Sequence, residues 1–403
     1  MRVLAVTTWL PTQSHPSMGS FVVKDAQAIA SLGHRVVLVH LVPPHQGRVE
    51  AGDQVGPGHT TQGRCDGRGH QGGLGLPVQD EIEGLPVLRI PMSTTRPDHV
   101  LAARRALRPL VDGAELLHTM AFSSLLPLAG LGSRLSVPWV HTDHWSGLTT
   151  PESLPRAWRL ALPRLIPLLR GPDVATAVVE RLARPIREAR GAGRPTLVVP
   201  CVVPAPPGGP PPRKRPDGTI NLVDVGGLVE GKDPLLAVDV VAELLHCGHA
   251  ARLRLVGDGP LAEHVRSRAA RHGVADRVTL VGTLDRAGVL AELARADLFL
   301  GPTRSDNFYV SAAEAITSGR PVVAGANGGH AEYLDPEVSR LVPVQDASAY
   351  ADAVLDLLTA TRSLTAEAIA ATLGGRFEPD RVAEGYQQAY DLAAHLHRGR
   401  GSR

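Results

Sequence analysis

The sequence predicts an α/β fold built from two open, mainly parallel sheets in series. Three observations carry that expectation. Short apolar runs alternate with amphipathic segments from the first residues onward. The same alternation restarts at residue 219, after a proline- and glycine-dense stretch over 204–218. The length, 403 residues, suits two cores better than one. Domains are therefore expected over 1–203 and 219–375, with a last helix over 376–403. The stretch 204–218 reads as a stiff, extended linker.

In the first half, Arg2 to Thr7 is an apolar run, and a Pro/Ser/Gly loop over 11–20 leads into a helix over 21–32. Arg35 to Val42 is the next strand, which completes a Rossmann-like βαβ unit. Gly19 closes the loop where backbone is free to approach a ligand. Residues 45–80 are rich in Gly, His, Gln and Arg and read as a flexible surface loop. Their His45, His59, His70 and Cys65 match no metal-ligand spacing. Further strands are expected over 86–90, 116–118, 139–141, 174–178 and 196–199, with helices over 100–111 and 122–131. In the second half, strands near 221–225, 253–256, 278–281, 298–300 and 322–323 alternate with helices over 234–245, 260–272, 287–295 and 308–318. Helices near 347–359 and 379–397 close the series.

Composition excludes several classes. The formal charge of +2 leaves no nucleic-acid footprint. Three scattered cysteines, Cys65, Cys201 and Cys247, fit a reducing compartment without disulfides. The opening Met1 to Thr8 reads as a strand and lacks the apolar core of a signal peptide. No run approaches the ~20 apolar residues of a membrane span. A cytoplasmic location is expected.

The densest motif runs from Ala296 to Glu332. A buried strand stops at Gly301-Pro302, a helix follows to Ser318 with Gly319 as its cap, and Pro321 to Ala324 is the next strand before the Gly328-Gly329 loop. Both loops sit at strand carboxyl ends, where open α/β sheets bind ligands. Asp306 and Glu314 flank the first loop, and carboxylates suit sugar hydroxyls, accepting two hydrogen bonds at once. The helix N-terminus suits an anion such as phosphate.

This series resembles the nucleotide-sugar site of retaining glycosyltransferases of family 4, which have the GT-B fold: two Rossmann-like domains facing each other across a cleft. That family carries Glu-Gly-Phe-Gly-x4-Glu-Ala; here Asp306 stands for the first Glu, Asn307-Phe308-Tyr309 for Gly-Phe-Gly, and Glu314-Ala315 match. The resemblance implies that Asp306 and the 307–309 backbone face the donor sugar and that Glu314 binds the ribose. It implies that Lys232 meets the diphosphate, while the Arg expected beside it is Gly227. Arg304, in the loop before Asp306, is the candidate to supply the missing charge. The loop near Leu284 is where such enzymes receive the base. His144 matches a histidine that touches the donor sugar. Within the cluster Pro138 to Gly147, His141, Asp143 and Trp145 are candidates to line the acceptor pocket, with His118 a further one. Catalytic work falls on His144, Lys232 and Asp306.

The segment 153–170, interrupted by Pro155, Pro163 and Pro167, reads as a lid or acceptor-side helix pair; a basic face on an acidic membrane is the alternative. The expected function is transfer of a sugar, from a UDP-sugar first, to a small polar acceptor such as an aminocyclitol or a natural-product core, in bacterial antibiotic biosynthesis. No cofactor and no metal are expected, because no Asp-x-Asp motif lies in a matching context. The expected partners are the donor and the acceptor, in a monomer or homodimer. The alternatives are a lipid-linked or cell-surface glycan acceptor, a sugar 2-epimerase of similar fold, and a non-catalytic nucleotide-sugar-binding protein.

Overall fold

The computed structural model describes residues 1–12, 18–43, 80–213 and 218–401. The loop read over 45–80, with His45, His59, His70 and Cys65, lies outside the described residues, apart from residue 80. The first half contains β1 (Arg2–Thr7), α1 (Ser20–Ser31), β2 (Arg35–Val42), β3 (Asp80–Ile82), β4 (Leu85–Pro91), α2 (Pro97–Asp112), β5 (Leu116–Met120), β6 (Trp139–Asp143), α3 (Arg156–Leu165), β7 (Val174–Ala177), α4 (Glu180–Arg190) and β8 (Thr196–Val198). The second contains β9 (Thr219–Val225), α5 (Pro234–His246), β10 (Ala250–Val256), α6 (Ala262–Arg271), β11 (Val278–Gly282), α7 (Arg286–Arg295), β12 (Leu298–Gly301), α8 (Val310–Thr317), β13 (Val322–Gly325), β14 (Ser339–Val342), α9 (Ala347–Ala360), α10 (Ala366–Ala371) and α11 (Pro379–Gly401).

The first sheet runs β3-β4-β2-β1-β5-β6-β7-β8, parallel except for β3 against β4. The second runs β11-β10-β9-β12-β13-β14, parallel throughout. In each sheet the first strand has its sequence successor on one side and a later strand on the other. Strand order thus reverses between β1 and β5 and between β9 and β12, and a crevice opens there at the strand carboxyl ends.

Both faces of each sheet are covered, which is why the strands are apolar throughout rather than alternating. On β1, Leu4 and Val6 pack with Leu107 and Leu110 of α2. Val3 and Ala5 face the other way, toward Val22, Ala26 and Ile29 of α1 and Tyr386, Tyr390 and Ala393 of α11. The last helix therefore completes the core of the first sheet. In the second half, Leu222, Leu253 and Leu298 pack with Val241 and Leu244 of α5 and with Val354 and Leu357 of α9. Arg320, fully buried, donates to the carbonyls of Pro211 and Pro212 and ties the proline-rich stretch to this half.

Several elements differ from the sequence expectation. Residues 122–131 form no α-helix but 3₁₀ turns over Phe122–Leu128 and Gly132–Arg134, since Pro127 has no N–H to donate. The segment 153–170 is one helix, α3, followed by a 3₁₀ turn over Ile166–Arg170 instead of a helix pair. Helix α4 and strand β14 were not anticipated: Pro185 and four arginines mask the apolar side of α4, and β14 is only 4 residues long.

Candidate active site

The two crevices face one another, and each is shaped by backbone that most residues avoid. Among the described residues, four non-glycine positions have positive φ: Ala121, Asp233, Tyr309, and Glu83 in the β3–β4 turn. The first three lie at the carboxyl ends of β5, β9 and β12. Such conformations cost roughly 1–3 kcal/mol each and concentrate at functional sites.

On the second sheet, β9 ends in a glycine loop closed by Lys232. Gly257 and Gly259 of the neighbouring loop admit no side chain, because a Cβ would lie 2.0 Å from the Gly226 carbonyl and 2.5 Å from that of Leu228. Gly227 differs: its Cβ would meet nothing closer than 3.8 Å. The position where the resemblance expects Arg is therefore open space. Lys232 Nζ lies 2.5 Å from Asp306 Oδ2 and 3.8 Å above the Tyr309 ring. Their side chains remain 21% and 24% exposed, so the pair is reachable from the cleft.

Asp306 does more than meet Lys232. Its Oδ1 accepts from the N–H groups of Phe308 (3.0 Å) and Tyr309 (2.7 Å), closing the turn that leads into α8. The shorter Asp side chain favours this local turn, which holds the carboxylate near its own backbone. Burial opposes its charge, yet Lys232 and the Tyr309 N–H hold its pKa below the usual range. Asp306 was expected to face sugar hydroxyls; in the structure both of its oxygens are engaged.

Arg304 is not a free cation: it pairs with Asp233 at 2.8 Å. Phe308 points into an aromatic cluster with Tyr333 and Phe377, and Tyr309 is buried as well, so neither side chain opens onto a donor. Asn307 instead clasps the two halves. It accepts from Thr149 Oγ1 (2.8 Å) and donates to the His144 carbonyl (3.0 Å). Leu284 is half-buried beside Asp285, which caps α7. Glu314 receives Lys24 Nζ from the first half at 3.1 Å. Glu332, from the Gly328-Gly329 loop, accepts from the N–H groups of Glu180 and Arg181 and so caps α4 across the cleft.

On the first sheet, Gly19 has φ 70° and precedes α1, and a Cβ there would lie 2.3 Å from the Trp9 carbonyl. The His144 ring stacks 4.4 Å from Phe21, with Nδ1 3.8 Å from Cys201 Sγ and Nε2 3.7 Å from Asp25 Oδ2. Burial lowers His144 to about 4 and raises Asp25 to about 7, the latter against the Tyr386 hydroxyl that donates to it. Between those values both groups are neutral, so the contact is not an ion pair.

The acceptor candidates need correction. His118 and His141 are fully buried within the sheet. His118 bonds Tyr390 and Thr142, and His141 bonds Thr119 and Asp143. Asp143 is equally buried and accepts from the Trp145 N–H. Of the four, Trp145 borders a cavity. Lys24, Asp25, Glu332 and Asp224 escaped the sequence reading. Asp224 carried a signal, as a carboxyl inside an apolar strand; burial raises it to about 7. Among the described residues there is no group of three or more His, Cys, Asp or Glu suited to a metal, and no helix is long and apolar enough to cross a membrane.

Asp25 gives a prediction. Its pKa is raised on folding, so its contribution to stability is full below pH ~4 and is lost as pH rises through about 7. Asp25→Asn is expected to stabilise the protein at pH 8 by up to ~4 kcal/mol, at ~1.4 kcal/mol per pK unit, and to change little at pH 4. Urea unfolding at the two pH values measures this; equal effects would mean that the carboxyl is not held neutral.

Comparison with known proteins agrees with this fold. Residues 219–360 match the family Glycosyl transferases group 1. The D-inositol 3-phosphate glycosyltransferase of Segniliparus rotundus is 31% identical over 175 residues, 42% of this chain and 39% of that protein. The 2-deoxystreptamine glucosyltransferase of Streptomyces kanamyceticus is 32% identical over 105 residues, 26% of this chain and 27% of that protein. The chain thus spans about two fifths or less of the length of the curated relatives it matches. Among solved structures, sucrose-phosphate synthase from Thermosynechococcus elongatus superposes with a TM-score of 0.74 at 19% identity, covering 97% of this chain and 98% of that one. Anabaena HepE, solved with UDP and glucose, gives 0.68 at 15% identity, covering 97% and 99%. With two mainly parallel sheets and these superpositions over nearly its whole length, this chain has the GT-B fold, and its residues 219–360 match the glycosyl transferases group 1 family.

Proposed function

We propose that this chain is a retaining glycosyltransferase, moving a sugar from a nucleoside diphosphate sugar, a UDP-sugar first, to a small-molecule hydroxyl without a divalent metal. The observation that carries the reading is the meeting of Lys232, Asp306 and Glu314 at one switch point with Lys24 and His144 across the cleft. Glycosyl transfer leaves an anionic diphosphate and passes through an oxocarbenium-like transition state. The Lys232 ammonium, reachable beside the glycine loop, supplies countercharge to the leaving group. Asp306, bonded to two N–H groups and Lys232, is a poor nucleophile. That favours front-face attack: the acceptor oxygen bonds the anomeric carbon as its bond to the diphosphate breaks, and the acceptor proton passes to the leaving phosphate oxygen. Glu314 is the ribose ligand in this reading.

HepE was solved with UDP, which supports uridine, whereas a Mycobacterium tuberculosis relative is named as GDP-mannose-dependent. Calorimetry with UDP, GDP, dTDP and ADP, with and without chelator, tests the proposal. UDP is expected to bind best and equally in both conditions. Tighter GDP binding would overturn the choice of base, chelator sensitivity the metal independence, and no binding at all the enzymatic reading.

A further inference from the structure

Three of the four tryptophans in the chain, Trp9, Trp145 and Trp158, converge on one cavity of about 380 Å³ in the first half. Aromatic residues are only 3% of the sequence, so composition does not account for this. The fourth, Trp139, is core. The walls come from five places: Trp9 after β1, Thr94 after β4, Phe122 after β5, Trp145 after β6, and Leu154 and Trp158 just before and within α3. The cavity therefore sits at the β1/β5 switch point. It lies beside the donor residues too, since Trp145 follows His144, whose carbonyl takes the Asn307 amide.

The walls are built rather than incidental. The Trp145 ring lies 5.1 Å from Phe122 and edge-on to Trp158 at 6.5 Å. It presses on its own turn so closely that a Cβ on Gly147 would lie 2.3 Å away. Trp9 stands edge-on to Phe21 at 5.9 Å. Ala121, at φ 82°, directs Phe122 and Ser123 into the wall through backbone that most residues avoid. The polar groups are hydroxyls: Thr8 Oγ1 and Ser123 Oγ lie 2.6 Å apart, and Thr94 is near. Among the described residues, no charged side chain lines the cavity.

We infer that this cavity is the acceptor subsite and takes a neutral molecule with a flat apolar face and a free hydroxyl, a phenol or fused-ring alcohol. The inference rests on the reading of the chain as a nucleotide-sugar glycosyltransferase and names its acceptor class. Rigid indoles bind flat apolar faces with little entropy loss, and the Thr8–Ser123 pair orients a hydroxyl. Among the described residues a phosphorylated cyclitol would find no cation here, and an aminocyclitol no carboxylate, only the faces of the rings. The small polar acceptor expected from the sequence gives way to this class. In the reaction the acceptor oxygen bonds the anomeric carbon of the nucleotide sugar, the bond to the diphosphate breaks, and the hydroxyl proton leaves on the phosphate.

Calorimetry on the full chain with 2-naphthol, 2-deoxystreptamine and D-inositol 3-phosphate tests this, with UDP titrated in parallel. Binding of 2-naphthol in preference to both charged probes is expected. Trp158→Ala should weaken 2-naphthol about tenfold and leave UDP unchanged, and Trp158→Phe should recover most of the loss. UDP binding with no 2-naphthol binding, or with either charged probe bound as tightly, overturns the inference while the donor reading stands. Loss of UDP binding in the unmodified chain strikes the donor reading instead.

Discussion

Lys232→Ala is expected to weaken UDP binding roughly tenfold to hundredfold while leaving uridine binding nearly unchanged. The range follows from ~1.5–3 kcal/mol for a hydrogen bond to a charged group. The expectation is specific because the protein has placed so little positive charge at this spot. Gly227 stands where a second cation belongs, and Arg304 is held by Asp233. Lys232 thus remains as the ammonium beside the glycine loop. Its removal also strips Asp306 of its ion-pair partner, but the Phe308 and Tyr309 N–H groups still hold that carboxylate, so the loop should survive. Adding Gly227→Arg to Lys232→Ala tests the same point from the other side. The open space at 227 accepts the side chain, and UDP affinity should partly return. Equal losses for UDP and uridine in Lys232→Ala would remove the phosphate role.

Glu314→Ala should have the second large effect, and a different signature. If its carboxylate accepts from both ribose hydroxyls, UDP and uridine should weaken together, each on the order of a hundredfold. Stability should fall modestly. The bond that Glu314 makes in the structure is to Lys24, with side chains 18% and 23% exposed, and its loss should cost about 1–3 kcal/mol. Calorimetry with both ligands, alongside thermal unfolding, separates these effects. Unchanged uridine affinity would take the ribose assignment away from Glu314.

The second half was the more legible in sequence because its signals are local. Strands β9 to β13 are short apolar runs closed by Gly, and Asp306, Glu314 and Gly328 fall within one stretch of chain. Side chains whose partners are distant in sequence left no such trace. Lys24 finds Glu314 290 positions away, and the α4 N-terminus finds Glu332 about 150 positions away. His118 and His141 misled for a related reason. A polar residue near the end of a strand suggests a cleft, but both sit inside a sheet covered on both faces, where Tyr390 and Thr119 satisfy them. Asp306 was visible as a residue but not in its local role, since a one-methylene change from Glu turns a side chain that reaches outward into one that closes the turn before its helix. The aromatic cavity was legible only as the single residue Trp145, because its walls come from five separated segments.

The packing of α11 on the first sheet sets the order in which the chain can fold during synthesis. Tyr386 donates to Asp25 across 361 positions, and Tyr390 reaches His118 across 272. The half made first must wait with part of one face of its sheet uncovered until α11 has left the ribosome. The half made second closes largely on itself, through β9 to α9, and can be native earlier. The translating ribosome therefore holds a finished C-terminal domain beside an unfinished N-terminal one, and the exposed Val3, Ala5 and Ile29 face is the surface a chaperone would shield in that interval.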